Sequence, residues 1–433
     1  MDRVIEGRRR LRGALQVPGD KSISHRSVLL GSIARGTSRV WGLSSAMDVR
    51  SSLEAVKTLG IQVEQTENET VIKGMGLGGL ENKSAEGRVT IHCGNSGTTA
   101  RLLTGLLAGA GVRALITGDE SLSRRPMSRI TEPLASIGAG ISSNEGRLPM
   151  QLNGGKLVPF EYVIPVASAQ VKTSLILASL FIQGTSYITE PVETRDHTER
   201  MLLLMDGQIK KKHTVQGKSI TVCGRRELST LELVVPGDIS SAAFFIASGL
   251  VTPRSDIVLE NVLLNPTRAY IIEVFQKMGG NIQTEIEEEF PEPRGKVRVW
   301  SSRLKAVEVG GIEIPLIIDE IPALACAGFF ARGETIVRGA SELRVKESDR
   351  IRGVVEMIRS FGGRAQELDD GFVIHGPNRP TQAEINSFGD HRLAMAASII
   401  ALNVKGRTLI RDAHCSDISF PGFFDMLESA TVK

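Results

Sequence analysis

The sequence predicts an α/β protein of two similar halves, each containing three copies of one unit of helix and strand. A chain of 433 residues exceeds what a single hydrophobic core usually supports, so two domains are expected. Its 45 glycines and 4% aromatic residues are typical of small aliphatic cores joined by many tight turns. The third observation is a helical pattern, a glycine and a short alternating run that recur along the chain.

The recurring unit places apolar residues at i, i+3, i+4 and i+7, which is typical of a helix packed on a sheet. Its copies begin at Ser51, Met127, His197, Arg268 and Asp349, and FFDMLESA near the C-terminus is a truncated sixth copy. The glycines that follow the helical patterns are Gly60, Gly138, Gly207, Gly279 and Gly362. Each of them is expected to end its helix with a positive φ.

A second repeat relates the two halves. The tetrapeptide VPGD begins at Val17 and again at Val235, and a serine-containing apolar segment follows each copy. Both predict a strand, a turn and a helix whose first amides serine side chains can cap. The two PGD steps are hinge candidates near 18–22 and 235–240. They predict a continuous domain at 21–237 and a discontinuous domain of 1–20 with 238–433.

Composition excludes several classes of protein. The charge is nearly balanced, with 52 Lys+Arg and 49 Asp+Glu, so neither nucleic acid nor a membrane surface is an expected partner. The chain has no run of about 18 apolar residues, and no apolar stretch follows its basic N-terminal residues. We therefore expect neither a membrane span nor a signal peptide. The four cysteines form no CxxC pair, which favours a reducing, cytoplasmic location without disulfides or structural zinc. They are Cys93, Cys223, Cys326 and Cys415.

The first half of the chain has cations and hydroxyls at its predicted helix starts. Because helix N-termini present free amides and partial positive charge, such positions suit anionic ligands. A single position of this kind is more often a capped surface helix, and the chain lacks the GxxxxGK[ST] phosphate loop. Several in one half indicate a shared anion site. These segments are DKSISHR from Asp20, HCGNSGTTAR from His92, RRP from Arg124, SAQVK from Ser168 and TRDH from Thr194.

The second half contributes carboxylates interleaved with cations. Asp319 and Glu320 follow the apolar run IPLII, RVKESDR begins at Arg344, and GDHR begins at Gly389. Mixed charge runs are usually solvated surfaces with weak ion pairs. Here each run is expected at a helix start after a strand, where α/β folds hold functional residues. Cations in one half and carboxylates in the other predict acid–base chemistry on two anionic substrates held in one shared crevice.

Eight motifs give the chain a specific resemblance. From about Gly13 to Phe424 it resembles the 5-enolpyruvylshikimate-3-phosphate synthase family. In order, the motifs are PGDKSISHR, GNSGTTAR, GDESLSRRPM, SAQVK, TRDHTERM, LIDEIP, LRVKESDR and GDHR. The resemblance implies a two-domain inverse α/β barrel of six βαβαββ units, three per domain. It also implies transfer of the enolpyruvyl group of phosphoenolpyruvate to the 5-hydroxyl of shikimate 3-phosphate, in the pathway to chorismate and aromatic amino acids.

The same resemblance implies a monomer with no metal or organic cofactor, inhibited by glyphosate, and it assigns site residues. For shikimate 3-phosphate they are Lys21, Ser22, Arg26, Ser168, Ala169, Gln170, Arg195, Asp319 and Lys346. For phosphoenolpyruvate they are Lys21, Gly97, Arg125, Gln170, Arg350 and Arg392. Glu347 is expected to protonate the methylene carbon, and Lys21 to help phosphate leave. Asp319 or a neighbouring lysine is expected to take the hydroxyl proton.

Two positions depart from the pattern of some family members, and a third position bears on inhibition by glyphosate. Leu102 occupies a place where some have proline, and Ile418 a place where some have lysine, so phosphoenolpyruvate contacts near the C-terminus stay open. Glycine at position 97 predicts glyphosate sensitivity, because an added methyl group would crowd the pocket.

Three alternative functions are weaker. The related transferase acting on UDP-N-acetylglucosamine usually has a cysteine in the loop that is here 118–125, and asparagine where Ser22 follows Lys21. A non-catalytic anion-binding protein would not need carboxylates facing its ligand. Nucleic-acid binding by Arg8, Arg9, Arg10 and Arg12 is disfavoured by the balanced charge and scarce aromatic residues.

Overall fold

The computed structural model describes residues 1–7 and 10–432, so Arg8, Arg9 and Lys433 lie outside the described residues. Arg8 and Arg9 are two of the four arginines considered above as a nucleic-acid contact, and that hypothesis therefore lies partly outside the described residues. The chain divides into two compact units, residues 19–235 and residues 1–18 with 236–433. Within 1–7 and 10–432, no helix combines the length and apolar character needed to cross a bilayer.

Strands and helices alternate along nearly the whole chain, which confirms the α/β prediction. The strands are β1 (Arg3–Glu6), β2 (Arg10–Leu15), β3 (Arg35–Trp41), β4 (Gln62–Gln65), β5 (Glu69–Met75), β6 (Val89–His92), β7 (Arg113–Thr117), β8 (Ala139–Asn144), β9 (Arg147–Gly155), β10 (Glu161–Val163), β11 (Thr185–Glu190), β12 (Ile209–Thr214), β13 (Gly217–Cys223), β14 (Glu232–Val234), β15 (Asp256–Leu263), β16 (Asn281–Glu288), β17 (Arg294–Trp300), β18 (Glu308–Val309), β19 (Gly333–Val337), β20 (Arg364–Leu368), β21 (Gly371–Gly376), β22 (Glu384–Asn386), β23 (Arg407–Arg411) and β24 (Thr431–Val432).

The helices carry most of the predicted functional motifs. They are α1 (Lys21–Ser32), α2 (Met47–Thr58), α3 (Gly76–Asn82), α4 (Gly97–Gly109), α5 (Glu120–Ser123), α6 (Ser128–Ser136), α7 (Ala169–Ser179), α8 (His197–Leu204), α9 (Ile239–Val251), α10 (Tyr270–Lys277), α11 (Ile314–Ile317), α12 (Ile321–Phe330), α13 (Arg350–Ser360), α14 (His391–Ala401) and α15 (Phe423–Ala430). Short 3-10 helices lie at Lys83–Ala85, Gly311–Glu313, Ser341–Val345 and Ala413–Ile418.

The described strands form six separate open sheets, one for each repeat unit. The sheet β6-β7-β9-β8 shows the plan. Its first two strands are parallel, with Ile91 opposite Ile116, and α4 connects them. Helix α6 then leads to β8, which is antiparallel to β9, and β9 is antiparallel to β7. The order β-α-β-α-β-β recurs in β10-β11-β13-β12 and β18-β19-β21-β20.

Two sheets take their first strand from a distant part of the sequence. Strand β14 pairs in parallel with β3, and β2 pairs in parallel with β15. Each borrowed strand directly precedes a PGD step, so the chain completes one sheet immediately before it opens the next helix. The sixth sheet, β1-β23-β22, has three strands, and the truncated sixth copy forms α15 followed by the short β24.

The inner helices of each unit pack closely enough to require small residues. Helix α4 lies against α7, and a Cβ added to Gly105 would lie 2.2 Å from the carbonyl oxygen of Ser174. Every residue of α9 from Ile239 to Val251 is buried. Since such helices are held on all sides, the side chains of their first turns have well-defined positions.

The repeat glycines behave as predicted in four of five copies. Gly60, Gly138, Gly279 and Gly362 have φ of 89°, 105°, 84° and 80° at the ends of their helices. The prediction is wrong for Gly207, because Asp206 adopts the left-handed conformation instead, with φ of 60°. Aspartate tolerates this region better than most residues, so the helix ends one residue earlier.

The helix caps after the PGD steps also differ from expectation. The aspartates, and not the serines, accept the free amides: Asp20 accepts from the backbone N–H of Ile23, and Asp238 from that of Ser240. Because aspartate fills the cap, the serine hydroxyls of these segments are available for other contacts.

Replacing Gly138 with alanine should destabilise the protein by roughly 2 kcal/mol or more. The added Cβ would lie 2.5 Å from the carbonyl oxygen of Lys156, at a residue whose φ is 105°. The matched control is Gly78→Ala in α3, where nothing lies within 4 Å and no positive φ is required. Thermal unfolding should show a lower midpoint for Gly138→Ala only; equal midpoints for the two variants would disprove the strain.

Candidate active site

Lys21 is the first residue of α1 and is held by a carboxylate. Its Nζ lies 2.8 Å from Oδ2 of Asp48 in α2, and both side chains are largely buried. Asp48 was not identified from the sequence, since nothing in its neighbourhood marks it as a partner of a residue 27 positions earlier. The pair fixes the ammonium group near the start of the helix, where partial positive charge already favours an anion.

Arg26 lies one turn further along α1 and is 3% exposed. Its guanidinium donates to Oγ1 of Thr198 at 2.8 Å, to Oγ1 of Thr173 at 2.9 Å and to the carbonyl of Ser22 at 2.9 Å. It therefore joins α1 to α7 and α8. Arg195, just before α8, donates from Nη1 to the hydroxyl of Ser22 at 3.2 Å. Three residues predicted for shikimate 3-phosphate thus lie together in this unit.

The start of α4 brings together Gly97, Gln170 and two arginines. Arg101 donates from Nη1 to Oε1 of Gln170 at 3.1 Å, and Gln170 donates from Nε2 to Oγ1 of Thr98 at 3.1 Å. A Cβ at Gly97 would lie 2.7 Å from Nη1 of Arg101 and 3.6 Å from Nη1 of Arg125. Arg101 was quoted in the GNSGTTAR motif but not assigned to the site, and the structure places it at the centre of this group.

Arg125 is anchored from the loop before α6. Its Nη2 donates to Oδ1 of Asn95 at 2.6 Å, and Asn95 in turn donates to Oδ2 of Asp119 at 2.7 Å. Ser168 caps α7 by accepting the N–H of Val171, and Ala169 and Gln170 in the first turn are half-buried. The sequence-predicted cations and hydroxyls of residues 19–235 therefore cluster at the N-termini of α1, α4 and α7.

In the other unit, Asp319 lies among three cations. Its Oδ1 is 4.0 Å from Nζ of Lys346, 3.7 Å from Nη1 of Arg350 and 3.7 Å from Nη2 of Arg392. Arg392 also donates to the Asp319 carbonyl at 2.7 Å. The segment before Asp319 is the short helix α11, so the expected strand there is wrong. A proline in its first turn and a preceding 3-10 helix favour helix over the apolar pattern of IPLII.

Glu347 and Arg350 form the second part of this cluster. Arg350, 1% exposed, donates from Nη2 to Oε2 of Glu347 at 2.5 Å and from Nε to Oδ2 of Asp390 at 2.8 Å. Ser348 donates its hydroxyl to the same Asp390 oxygen at 3.0 Å. Asp390 belongs to the GDHR motif but was not assigned, and it is the buried carboxylate that orients Arg350.

Burial and neighbouring charges shift the pKa values of this cluster. Burial lowers the pKa of the Lys346 ammonium, and Asp319 opposes that shift. Burial alone would raise the pKa of Asp390, but the Arg350 guanidinium outweighs it and the net pKa is lowered. Burial would lower the pKa of Arg350, and the carboxylates of Asp390 and Glu347 raise it above its usual value. Arg350 and Asp390 are therefore a charged pair at any working pH.

The two departures from the family pattern are apolar side chains, which make none of these polar contacts. Leu102 is fully buried on α4. Ile418 ends the 3-10 helix Ala413–Ile418 and is half-buried. Among the residues that the structure describes, no group of three or more His, Cys, Asp and Glu side chains could hold a metal ion.

Residues 19–235 hold cations and hydroxyls at their helix starts, and the other unit holds carboxylates among cations. Each set by itself is typical of transferases that act on small anionic substrates. A family profile, EPSP synthase (3-phosphoshikimate 1-carboxyvinyltransferase), matches residues 5–427. The chain belongs to the EPSP synthase family.

Relatives and solved structures agree with this assignment. The 3-phosphoshikimate 1-carboxyvinyltransferase of Desulforudis audaxviator is 45% identical over 98% of this chain and 98% of the relative. That of Desulforamulus reducens is 42% identical over the full length of both. EPSP synthase from Acinetobacter baumannii has a TM-score of 0.86 at 36% identity, covering 100% of this chain and 99% of that one. The enolpyruvyl transferase NikO from Streptomyces tendae, with a TM-score of 0.75 at 17% identity over 99% and 96%, shares the fold.

Proposed function

We propose that Lys21, Asp319 and Glu347 carry out the chemistry of this family in the chain. As a family member, the chain transfers the enolpyruvyl group of phosphoenolpyruvate to the 5-hydroxyl of shikimate 3-phosphate. The products are 5-enolpyruvylshikimate 3-phosphate and phosphate, on the route to aromatic amino acids. The observation that best supports the residue roles is the cluster in which Asp319 and Glu347 both lie within 4 Å of Arg350.

The proposed first step is addition across the double bond of phosphoenolpyruvate. Glu347 gives a proton to the methylene carbon, which becomes a methyl group, while the 5-hydroxyl oxygen attacks the neighbouring carbon. Asp319 takes the hydroxyl proton, and a tetrahedral intermediate still bearing phosphate results. Arg350, held by Glu347 and Asp390, suits the carboxylate or phosphate of phosphoenolpyruvate, because guanidinium groups match the geometry of such anions.

The second step reverses the proton transfer and expels phosphate. Glu347, now ionised, removes a proton from the methyl group as the carbon–oxygen bond to phosphate breaks, which restores the double bond. The proton that Asp319 took from the hydroxyl passes to the departing phosphate, so both carboxyl groups return to their starting states. Lys21, at a helix N-terminus and oriented by Asp48, stabilises the negative charge on the departing phosphate. Lys346 is the alternative acceptor of the hydroxyl proton, a role that requires its neutral amine form, and burial favours that form by lowering the pKa of the ammonium group.

The remaining predicted ligands supply the binding sites. For shikimate 3-phosphate they are Ser22, Arg26, Ser168, Ala169, Gln170 and Arg195, and for phosphoenolpyruvate they are Gly97, Arg125, Gln170, Arg350 and Arg392. Arg26 is the most deeply buried of the shikimate 3-phosphate set, at 3% exposed, and its hydrogen bonds to Thr198 and Thr173 join α1 to α8 and α7. We propose that it orders the site at least as much as it contacts ligand.

The reaction is tested by measuring phosphate release in a coupled assay. Phosphate should appear only when phosphoenolpyruvate and shikimate 3-phosphate are both present, and Asp319→Asn should abolish most of the rate. Phosphate release from phosphoenolpyruvate alone, or full activity of Asp319→Asn, would contradict the proposal. Activity with UDP-N-acetylglucosamine in place of shikimate 3-phosphate would favour the related transferase.

We further propose that the two PGD steps are hinges, with domains at 21–237 and at 1–20 with 238–433. The N–H of Asp238 donates to the carbonyl of Pro18 at 2.8 Å, so the two PGD steps are in direct contact. Closure on shikimate 3-phosphate should decrease the radius of gyration in solution scattering; an unchanged radius would argue against hinges. A monomer in the cytoplasm remains our expectation, and the four free cysteines fit a reducing compartment.

Glyphosate should inhibit the enzyme, and Gly97→Ala should weaken both glyphosate and phosphoenolpyruvate. The new Cβ, 2.7 Å from Nη1 of Arg101, would displace the guanidinium that orients Gln170. Overpacking of this kind costs about 1–3 kcal/mol, so KM for phosphoenolpyruvate should rise roughly tenfold. Steady-state kinetics with Gly78→Ala as control measures the change. A parent enzyme inhibited only by millimolar glyphosate, or a variant with unchanged KM, would contradict the prediction.

A further inference from the structure

A fully buried ionic cluster lies behind the predicted shikimate 3-phosphate ligands. The side chain of Lys172 in α7 is 0% exposed, and its Nζ lies 2.9 Å from Oε1 of Glu190 and 2.9 Å from Oε1 of Glu199. Its third contact is the carbonyl oxygen of Thr194 at 3.2 Å. The ammonium group donates hydrogen bonds to Glu190 and to the Thr194 carbonyl, whereas Glu199 is held by the ion pair, since its buried oxygens have no hydrogen-bond partner among the described residues. The three groups also contain one more carboxylate than cation.

Each contact of the ammonium group ends on a different element. Lys172 lies in α7, Glu190 ends β11, Thr194 lies in the connection before α8, and Glu199 lies in the first turn of α8. Glu190 reinforces the connection, because its Oε2 accepts from the N–H of Thr194 at 3.1 Å and from its hydroxyl at 2.7 Å. The backbone of Thr194 is therefore fixed by two hydrogen bonds to the cluster, and its side-chain hydroxyl adds a third.

The fixed connection carries a predicted ligand. Arg195 follows Thr194 directly and donates to the hydroxyl of Ser22. Lys172 itself comes two residues after Gln170 and four after Ser168, one turn into the same helix. One buried cation thus sets the position of Arg195 relative to Ser168 and Gln170.

Charge burial makes a purely stabilising role a poor explanation. Taking ions out of water costs several kcal/mol per ion, and apolar residues of similar volume are often as stabilising. What an ionic cluster adds is direction, since its hydrogen bonds specify where each partner lies. The glutamates outweigh burial and raise the pKa of Lys172, so the ammonium remains charged.

We propose that Lys172 is a positioning residue for shikimate 3-phosphate, acting through Glu190, Glu199 and Thr194 to hold Arg195 opposite the first turn of α7. The inference rests on the proposed function, in which Arg195, Ser168 and Gln170 bind that substrate. Phosphoenolpyruvate is predicted to depend on Lys172 less, because Gln170 is the one of its predicted ligands that shares α7 with Lys172.

Two variants separate position from stability. Lys172→Met keeps the side-chain volume but removes the donors, and leaves two buried carboxylates without a cation. Lys172→Met/Glu199→Gln removes one of the surplus charges. The dissociation constant for shikimate 3-phosphate, measured by calorimetry without phosphoenolpyruvate, should rise at least tenfold in both. The thermal midpoint should be lower in the single variant and recover partly in the double variant, while KM for phosphoenolpyruvate at saturating shikimate 3-phosphate changes less than about threefold.

A milder variant and two controls complete the test. Thr194→Val keeps the shape of the residue and removes one hydrogen bond to Glu190, so affinity for shikimate 3-phosphate should fall a few-fold with little change in stability. Lys73→Met, at an exposed ion pair with Glu64, should alter neither quantity. Arg195→Met tests the underlying assignment and should weaken shikimate 3-phosphate strongly.

The outcomes are distinguishable. Parent-like affinity in Thr194→Val and in the double variant, or affinity that recovers together with stability, would reduce Lys172 to a structural role and overturn the inference. Equal losses for both substrates would also overturn it. If Arg195→Met leaves shikimate 3-phosphate binding unchanged, the proposed ligand assignment itself fails.

Discussion

Glu347→Gln is expected to lower kcat by about 10²–10⁴, the usual contribution of a positioned general acid. Glutamine is nearly isosteric and can still accept the hydrogen bond that Arg350 donates to Oε2 of Glu347. It cannot deliver a proton to the methylene carbon, so chemistry is lost while the site keeps its shape. Affinity for shikimate 3-phosphate should stay near that of the parent, because its predicted ligands do not depend on this proton.

The measurement is kcat from phosphate release, together with the dissociation constant for shikimate 3-phosphate. Glu356→Gln is the matched control, since Glu356 lies on the neighbouring helix α13 and pairs only with the exposed Arg352 among its described contacts. Unchanged turnover in Glu347→Gln would remove Glu347 from the role of acid. A large loss of substrate binding in the same variant would show that it acts on binding instead.

Arg350→Met should reduce both stability and activity severely. Arg350 is 1% exposed, and its Nε lies 2.8 Å from Oδ2 of Asp390, which is itself fully buried. Removing one partner of a buried pair typically costs about 3–5 kcal/mol, because the other charge remains in a dry environment. Loss of a predicted phosphoenolpyruvate ligand should also raise KM for that substrate well over tenfold.

The stability loss should depend on pH in a defined direction. In the parent, the pKa of Asp390 is lowered below 3.8, so the pair's contribution is complete above that value and is lost as pH falls through the folded pKa. In the variant, burial without Arg350 should raise the pKa of Asp390 above 3.8. The folded variant then gains protons, and its deficit relative to the parent should shrink as pH falls from 8 to 5.

Unfolding curves at pH 8, 6.5 and 5 check this behaviour. Arg350→Met/Asp390→Asn should recover much of the stability at pH 8 but none of the lost phosphoenolpyruvate affinity. Arg352→Met, on the exposed face of the same helix, should stay within about 0.5 kcal/mol of the parent. A deficit that is constant with pH would show that Asp390 is not left charged and buried.

Local periodicity was sufficient to predict the helices of the five repeat copies and most of their ends; these helices are α2, α6, α8, α10 and α13. The apolar stripe of each repeat copy and the glycine after it are properties of about 15 neighbouring residues, which a sequence pattern captures directly. Gly207 failed because aspartate can replace glycine in a left-handed position. The segment before Asp319 failed because a short apolar run is equally compatible with strand and helix.

Pairings distant in sequence could not be predicted in the same way. Arg101, Asp390 and Lys172 lie in recognised motifs and Asp48 lies outside them, but the roles of all four depend on which helices meet. Arg26 contacts Thr198, 172 positions away, because α1, α7 and α8 pack together. The strands β2 and β14 likewise pair with β15 and β3, which lie far away in the sequence. No local pattern encodes which distant strand each of them pairs with.

A crystal structure of the chain with shikimate 3-phosphate and glyphosate bound tests most directly whether the two residue sets act on the same pair of molecules. We predict that shikimate 3-phosphate contacts Ser22, Ser168 and Arg195 as well as Asp319, and that glyphosate contacts Lys21 and Arg125 as well as Arg350. Ligands held by residues of only one unit, with Asp319 and Glu347 in contact with neither, would contradict the proposed mechanism.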